Sequence, residues 1–392
     1  MKNLKFSNYF FFLCFIALTS CKKDGASPKD GDLITKTSQL DAFLTKVMND
    51  YNTVSLSATI TKEDKLIWSK GYGFANKEAN KIASNESIYM VASISKTVTG
   101  VAVMQLVEQG KINLDADINT YLPFEVKNPK NSASVITCRH LLTHTSGIVD
   151  NHLGEVYEQL LYMDEDPTLS LAEVCEGFFT TNGDFYSPDT FTDKLSGAEF
   201  NYSNIGIALL GYVVEVVAQK PFYQFTKENI FEPLGMTRTS WRLADLPSAD
   251  LAMPYDENNQ PYGHYTLADY PNGGLFTTVD DLSKYLRAFV NGGILNGTRI
   301  LNQASVTEMQ KIQSPTIAPL QGLAWNADNY DLNRNLRGHL GAERGVATLM
   351  YFDTDSKVGA IVFMNKLPES EEIGFEIVQK LLANLLNVGE KN

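Results

Sequence analysis

The sequence predicts an α/β protein whose sheet is assembled from segments near both ends of the chain, with a helical insertion packed beside it. Three observations carry that expectation. β-rich runs lie at 54–72 and again at 346–364, the stretch from about 115 to 325 is mostly helical and loop, and an amphipathic helix closes the chain. With 392 residues, 44% hydrophobic and 20% charged, the composition is that of a globular protein of two or three domains, or of one core with a large insertion. Its 21 Phe, 18 Tyr and 3 Trp supply ample surface to bury, which excludes a disordered chain. A formal charge of −13 and the lack of any Lys/Arg run exclude a nucleic-acid partner.

At the N-terminus, Lys2 and Lys5 precede an apolar block at 9–18. That block is roughly half the ~20 residues a bilayer-crossing helix needs, so it reads as a signal sequence. Leu18-Thr19-Ser20-Cys21 then resembles a bacterial lipobox. Residues 1–20 are accordingly expected to be a lipoprotein signal peptide, with Cys21 taking the lipid and residues 21–37 forming a flexible tether. At about 3.3 Å per residue that tether reaches some 50 Å. The expectation is an exported protein that meets the membrane only through its lipid anchor, facing the periplasm or the cell surface. Lys22 in place of Asp after the acylated cysteine favours the outer membrane. Two cysteines then remain, Cys138 and Cys175; one disulfide is possible, and the absence of any C-x-x-C makes a metal site improbable.

Residues 40–48 carry a helical pattern. Residues 54–60 alternate apolar and polar, 66–72 form a second β-rich run, and Lys62-Glu63-Asp64-Lys65 is the hairpin turn between them. From 93 to 109 the spacing becomes helical, with Val98, Val101, Ala102, Gln105 and Leu106 recurring at three and four and Gly110 as C-cap. Near the other end, 346–352 and 358–364 flank the turn Asp353-Thr354-Asp355-Ser356. The final helix carries Ile373, Ile377, Leu381, Leu382 and Leu385 on one stripe.

Three short patterns carry chemistry. Ser93-Ile94-Ser95-Lys96 places a hydroxyl and an amine at i and i+3, on one helix face. A serine needs a base within hydrogen-bond reach, and a lysine serves if burial lowers its pKa. The helix N-terminus adds free N–H groups where charge develops. Tyr202-Ser203-Asn204 stands just before a helix: the phenol can pass a proton beside a lysine, and the amide can orient a carbonyl or the ammonium. Tyr270-Pro271-Asn272 has the same letters but leads into Gly-Gly. His339-Leu340-Gly341 precedes the run at 346–352; a small residue there lets a substrate lie along an edge strand. The N–H of Ala342 is then a second oxyanion donor beside that of Ser93.

In that order, Ser93-x-x-Lys96, Tyr202-x-Asn204 and His339-x-Gly341 resemble the serine β-lactamase, D-Ala-D-Ala carboxypeptidase and class C esterase family. Further stretches do the same: VASISKT (91–97), LVEQGKINL (106–114), ITCRHLLTHTSGI (136–148), FNYSNIGIALLG (200–211), FEPLGM (231–236), NGGLFTT (272–278) and GHLGAERG (338–345). The resemblance spans roughly 38–386 and implies a β-lactamase/transpeptidase-like fold, an antiparallel sheet flanked by helices plus an all-helical insertion. Residues 38–392 form that domain, with the α/β part at about 38–112 and 330–390 and the helical part at about 113–329. Ser93 would be acylated, Lys96 and Tyr202 would share the proton work, and Asn204, His339, Gly341 and Ala342 would bind the substrate or its oxyanion. The resemblance implies a small-molecule or peptide ester or amide as substrate, with β-lactams among the candidates, and the scheme needs no cofactor and no metal.

One departure matters. β-Lactamases of class C carry Lys-Thr-Gly where this chain has His339-Leu340-Gly341, and histidine is mostly neutral near pH 7. That moves the expectation from β-lactams toward esters and D-amino-acid peptides, with Arg344 a candidate substitute cation. His140 and His144, at i and i+4, lack the intervening Glu of a zinc motif, and no G-x-S-x-G elbow exists. The competing possibility is a non-catalytic surface lipoprotein that binds peptidoglycan stem peptides in the same cleft. An intact Ser93, Lys96 and Tyr202 argues against it, because a binder gains nothing from a buried lysine beside a serine.

Overall fold

The computed structural model describes residues 33–392; the leader, Cys21 and most of the tether lie outside them. Helix α1 (Leu40–Asp50) leads into β1 (Ser55–Lys62) and β2 (Lys65–Asn76), joined by a tight turn in which Glu63 takes φ 52°. The short strand β3 (Lys81–Ile82) follows. The chain then enters helix α2 (Ser95–Glu108), with Gly110 at φ 69° just beyond its end. Among the elements of the middle region, α3 (Asn204–Ala218) and α4 (Val279–Val290) matter most for the site. Strands β4 (Asn326–Asp328), β5 (Leu336–Glu343), β6 (Val346–Asp353) and β7 (Val358–Met364) precede the closing helix α5 (Glu371–Lys391).

The sheet is seven-stranded and antiparallel, in the order β4-β5-β6-β7-β1-β2-β3. The C-terminal hairpin β6–β7 docks on β1, with Leu56 opposite Met364 and Ala58 opposite Val362. Alternation along the strands then gives each face its own core. Leu56, Ala58 and Ile60 of β1, with Val358, Ala360 and Val362 of β7, pack against Leu40 and Leu44 of α1 and Ile377, Leu381 and Leu385 of α5. Met350, Phe352, Ile361 and Phe363 face the other way, into the larger core built by α2, α3 and α4. Helix α2 is buried nearly all round, which is why its apolar positions did not mark a single stripe.

His339-Leu340-Gly341 precedes the strand β6 as expected, but it also lies inside a strand of its own, β5, which the pattern at 336–343 conceals because Arg, Gly, His and Gly interrupt its apolar alternation. Cys138 and Cys175 are both free and buried, so the possible disulfide is not made. Among the described residues, no group of three or more His, Cys, Asp or Glu is placed to hold a metal.

Candidate active site

Ser93 sits in a 3-10 turn, Ala92–Ile94, that opens directly into α2. The turn is tight: Ala92 takes φ 47°, a left-handed conformation that costs a side-chain-bearing residue about 1 kcal/mol or more. Surrounding contacts hold it there. Val91 N–H donates to the Leu275 carbonyl at 2.8 Å, and the Thr348 hydroxyl of β6 donates to the Val91 carbonyl at 2.9 Å. Gly341 of β5 lies against the same carbonyl. A Cβ added at Gly341 would stand 2.4 Å from Val91 O and 2.3 Å from Thr348 Oγ1. The glycine of the third motif therefore allows β5 to press on the turn that carries Ser93.

One turn into α2, Lys96 is completely buried, and Ser93 is only 4% exposed. The Lys96 Nζ donates to Ser93 Oγ at 2.9 Å, to Asn204 Oδ1 at 2.7 Å and to the Asn272 carbonyl at 2.7 Å. Tyr202 OH donates to Ser93 Oγ at 2.9 Å, and its ring lies 4.9 Å from Lys96 Nζ. Burial is the main force on Lys96, and it pushes the pKa down to about 7; Asp150, Asp269 and Glu343 pull in the opposite direction through their charge. An amine with that pKa is about half unprotonated at pH 7 and can accept a proton from a hydroxyl.

Asn204 opens α3 and is held at both ends of its amide. Its Oδ1 takes Lys96, while its Nδ2 donates to Asp150 at 2.8 Å. Asp150 also accepts the N–H of Asn204 at 2.7 Å, that of Ile205 at 3.2 Å and the Ser203 hydroxyl at 3.1 Å, so one carboxylate closes the helix N-terminus. Asp269 does similar work on the other side: Asn272 Nδ2 donates to its carboxylate at 2.6 Å and to its carbonyl at 2.7 Å. Burial raises the Asp269 carboxyl to about 6.

His339 is 1% exposed. Its Nδ1 faces the Leu340 carbonyl at 2.5 Å; a carbonyl only accepts, so Nδ1 carries the proton and Nε2 is left as a buried lone pair without a partner. Burial, and then the charge of Lys96, push its pKa down to about 3. The third motif thus contributes no cation. Nor does Arg344, whose guanidinium pairs with Glu158 and lies over the rings of Tyr157 and Tyr262. A cleft opens beside Tyr202 and His339, walled mostly by apolar side chains such as Phe200, Ile317, Leu320 and Leu340, with Asn326 and Asp328 also on its lining. Beyond β4, which pairs only as far as Gly338, the outer edge of β5 from His339 to Glu343 carries no strand partner among the described residues, as an edge-binding site requires.

The structure brings Ser93, Lys96, Tyr202 and Asn204 into one hydrogen-bonded cluster, with His339 and Gly341 on the adjoining strand and Ala342 next along it. Sequence reasoning missed three supporting groups, Asp150, Asn272 and Asp269. Asp150 lies two residues beyond the HTSGI stretch. Asn272 belongs to the second Y-x-N that the Gly-Gly seemed to rule out, and it acts through a backbone carbonyl, which no residue pattern encodes. Asp269 acts through Asn272. His144, weighed from the sequence as a metal ligand, stacks 4.4 Å from the Tyr202 ring and accepts the Ser203 N–H at 3.2 Å, so it holds the second motif in place.

Fold and site together are those of a β-lactamase-fold family of serine hydrolases. The chain belongs to the Beta-lactamase family, whose model matches residues 40–383. It is similar to "Protein flp" of Staphylococcus aureus (strain N315), 24% identical over 351 residues, a match that covers 88% of this chain and 65% of that protein. It therefore spans less than two thirds of the length of that relative. Among solved structures it resembles the D-amino acid amidase of Ochrobactrum anthropi SV3, with a TM-score of 0.71 at 22% identity, covering 89% of this chain and 99% of that one. It also resembles EstCE1, a hydrolase with promiscuous acyltransferase activity, with a TM-score of 0.68 at 18% identity, covering 90% and 98%. At those identities the likeness is one of fold.

Proposed function

We propose that this protein cleaves a carboxylic ester or amide through a covalent acyl-enzyme on Ser93. The observation that carries the reading is that Ser93 Oγ stands 2.9 Å from both Lys96 Nζ and Tyr202 OH. Unprotonated Lys96 takes the hydroxyl proton as Ser93 Oγ attacks the carbonyl carbon. The N–H groups of Ser93 and Ala342 receive the oxyanion. Tyr202, whose OH bonds Ser93 Oγ and whose ring face meets Lys96 Nζ, relays the proton to the departing oxygen or nitrogen. Water then attacks the acyl-enzyme with the same pair as base, and Ser93 is restored. Asn204 positions Lys96 through its amide oxygen, with its amide nitrogen resting on Asp150.

Neutral His339 in place of a lysine weakens the case for β-lactams, whose carboxylate wants a cation. Short-chain esters and small amides fit better, consistent with structural neighbours that include an amidase and an esterase-like hydrolase. A fluorophosphonate probe followed by peptide mapping, with p-nitrophenyl acetate and nitrocefin turnover measured alongside, tests the reading. Labelling of Ser93 with ester turnover well above nitrocefin turnover is expected. No adduct on the native chain, or fast nitrocefin turnover without esterase activity, would contradict it. The membrane attachment is likewise a proposal: Cys21 anchors an exported protein, and palmitate labelling should disappear in Cys21→Ala.

A further inference from the structure

Strand β5 alternates, so His339, Gly341 and Glu343 share the face that meets the Ser93 turn. Glu343 stands two residues, roughly 7 Å, past Gly341. It is half-buried, and its charge acts on both Lys96 and Asp269. One of its oxygens is fixed: Oε1 accepts Tyr157 OH at 2.7 Å and the Arg344 N–H at 2.9 Å. Oε2 makes no hydrogen bond among the described residues; burial pushes the carboxyl's pKa up, and the nearby charges of Arg344 and Lys96 pull it back down.

The direction of the reaction decides what lies near Glu343. Tyr202 must hand its proton to the leaving atom, so the leaving group occupies the mostly apolar cleft beside Tyr202 and His339. The acyl group then extends the other way along the open edge of β5, from Gly341 toward Glu343. On the leaving-group side the only polar atom His339 offers is the unpartnered Nε2 lone pair, which repels a carboxylate. On the acyl side the oriented carboxylate of Glu343 offers Oε2 as an acceptor for a cationic N–H.

Resting on the acyl-enzyme reading above, we propose that Glu343 is a specificity residue that binds the protonated α-amine of an aminoacyl group. The preferred substrates are then aminoacyl esters or amides with a free amine and an uncharged, apolar leaving group. A half-buried carboxylate already oriented by Tyr157 forms such a charge-assisted bond at little cost in ordering.

The test compares the p-nitroanilides of D- and L-alanine with their N-acetyl derivatives. For the better enantiomer, kcat/KM should favour the free amine by at least about 10-fold at pH 7. That preference should fade above roughly pH 8, where the α-amine loses its proton. Glu343→Gln should bring the ratio close to one. Where anilide cleavage is too slow, competition of alaninamide and N-acetylalaninamide against p-nitrophenyl acetate reads the same ratio. A native ratio at or below one, or a Glu343→Gln protein that keeps the native ratio, overturns the assignment. If Glu343→Gln does not fold, the native ratio and its pH dependence decide alone. Failure of this inference leaves Ser93 labelling intact, whereas failure of the acyl-enzyme reading abolishes it.

Discussion

Asp150 governs Lys96 without touching it: the amide of Asn204 stands between them, its oxygen on the ammonium and its nitrogen on the carboxylate. The carboxylate's charge raises the Lys96 pKa against the larger downward push of burial. Asp150→Asn removes that support, so the Lys96 pKa falls and the unprotonated amine persists to lower pH. The acid limb of kcat/KM for p-nitrophenyl acetate should therefore move to lower pH. The substitution also turns charge-assisted bonds at the start of α3 into neutral ones, at a cost of about 1–2 kcal/mol in denaturant unfolding. An unmoved limb would mean that the carboxylate only caps the helix.

Gly341 is required by contact and not by backbone freedom. Alanine there would drive its methyl into the Val91 carbonyl and the Thr348 hydroxyl, neither of which is a flexible chain end. Gly341→Ala should destabilise by about 1–3 kcal/mol and, by shifting the Ala92 turn, lower ester turnover as well. Thermal unfolding together with turnover checks this. Native values for both would show that β5 does not brace the nucleophile.

His339 makes stability fall on acidification. An unfolded imidazole takes a proton near 6.5, whereas burial holds this one near 3. Below about pH 6.5 the unfolded state binds a proton that the folded state refuses, so stability drops through the window from 6.5 to 3. At pH 5 the loss from this residue is about 2 kcal/mol. His144, also held well below its usual range by burial, adds to it, while Asp269, raised to about 6, opposes it between 6 and 3.8. Between pH 7 and pH 5, His339→Asn should lose about 2 kcal/mol less than the native chain in guanidinium unfolding. Parallel losses would contradict the burial argument.

Much of this was legible in the sequence because the signal there is local. The turn residues Glu63 and Asp64, the alternation in β1 and the β6–β7 hairpin need only neighbours, and they emerged at nearly the observed bounds. Ser93 and Lys96 are one helical turn apart, so spacing alone sets them side by side. Strand β5 stayed hidden because its inner face carries Arg337, His339, Gly341 and Glu343 toward a cleft, where polar groups replace the usual apolar ones. The Asp150–Asn204–Lys96 chain joins three elements, and Asn272 contributes a carbonyl oxygen. Contacts of that kind depend on packing, which periodicity does not encode.

The central claim is that a buried amine, unprotonated near neutrality, activates the Ser93 hydroxyl. Stopped-flow measurement of the acylation burst with p-nitrophenyl acetate from pH 5 to 9, with Ser93→Ala as the blank, tests it most directly. The rate should rise along a single limb centred near pH 7, the value burial gives Lys96, and that limb should shift in Asp150→Asn. A burst rate that is flat across this range, or one still climbing toward the ordinary lysine value of about 10.4, would contradict the account.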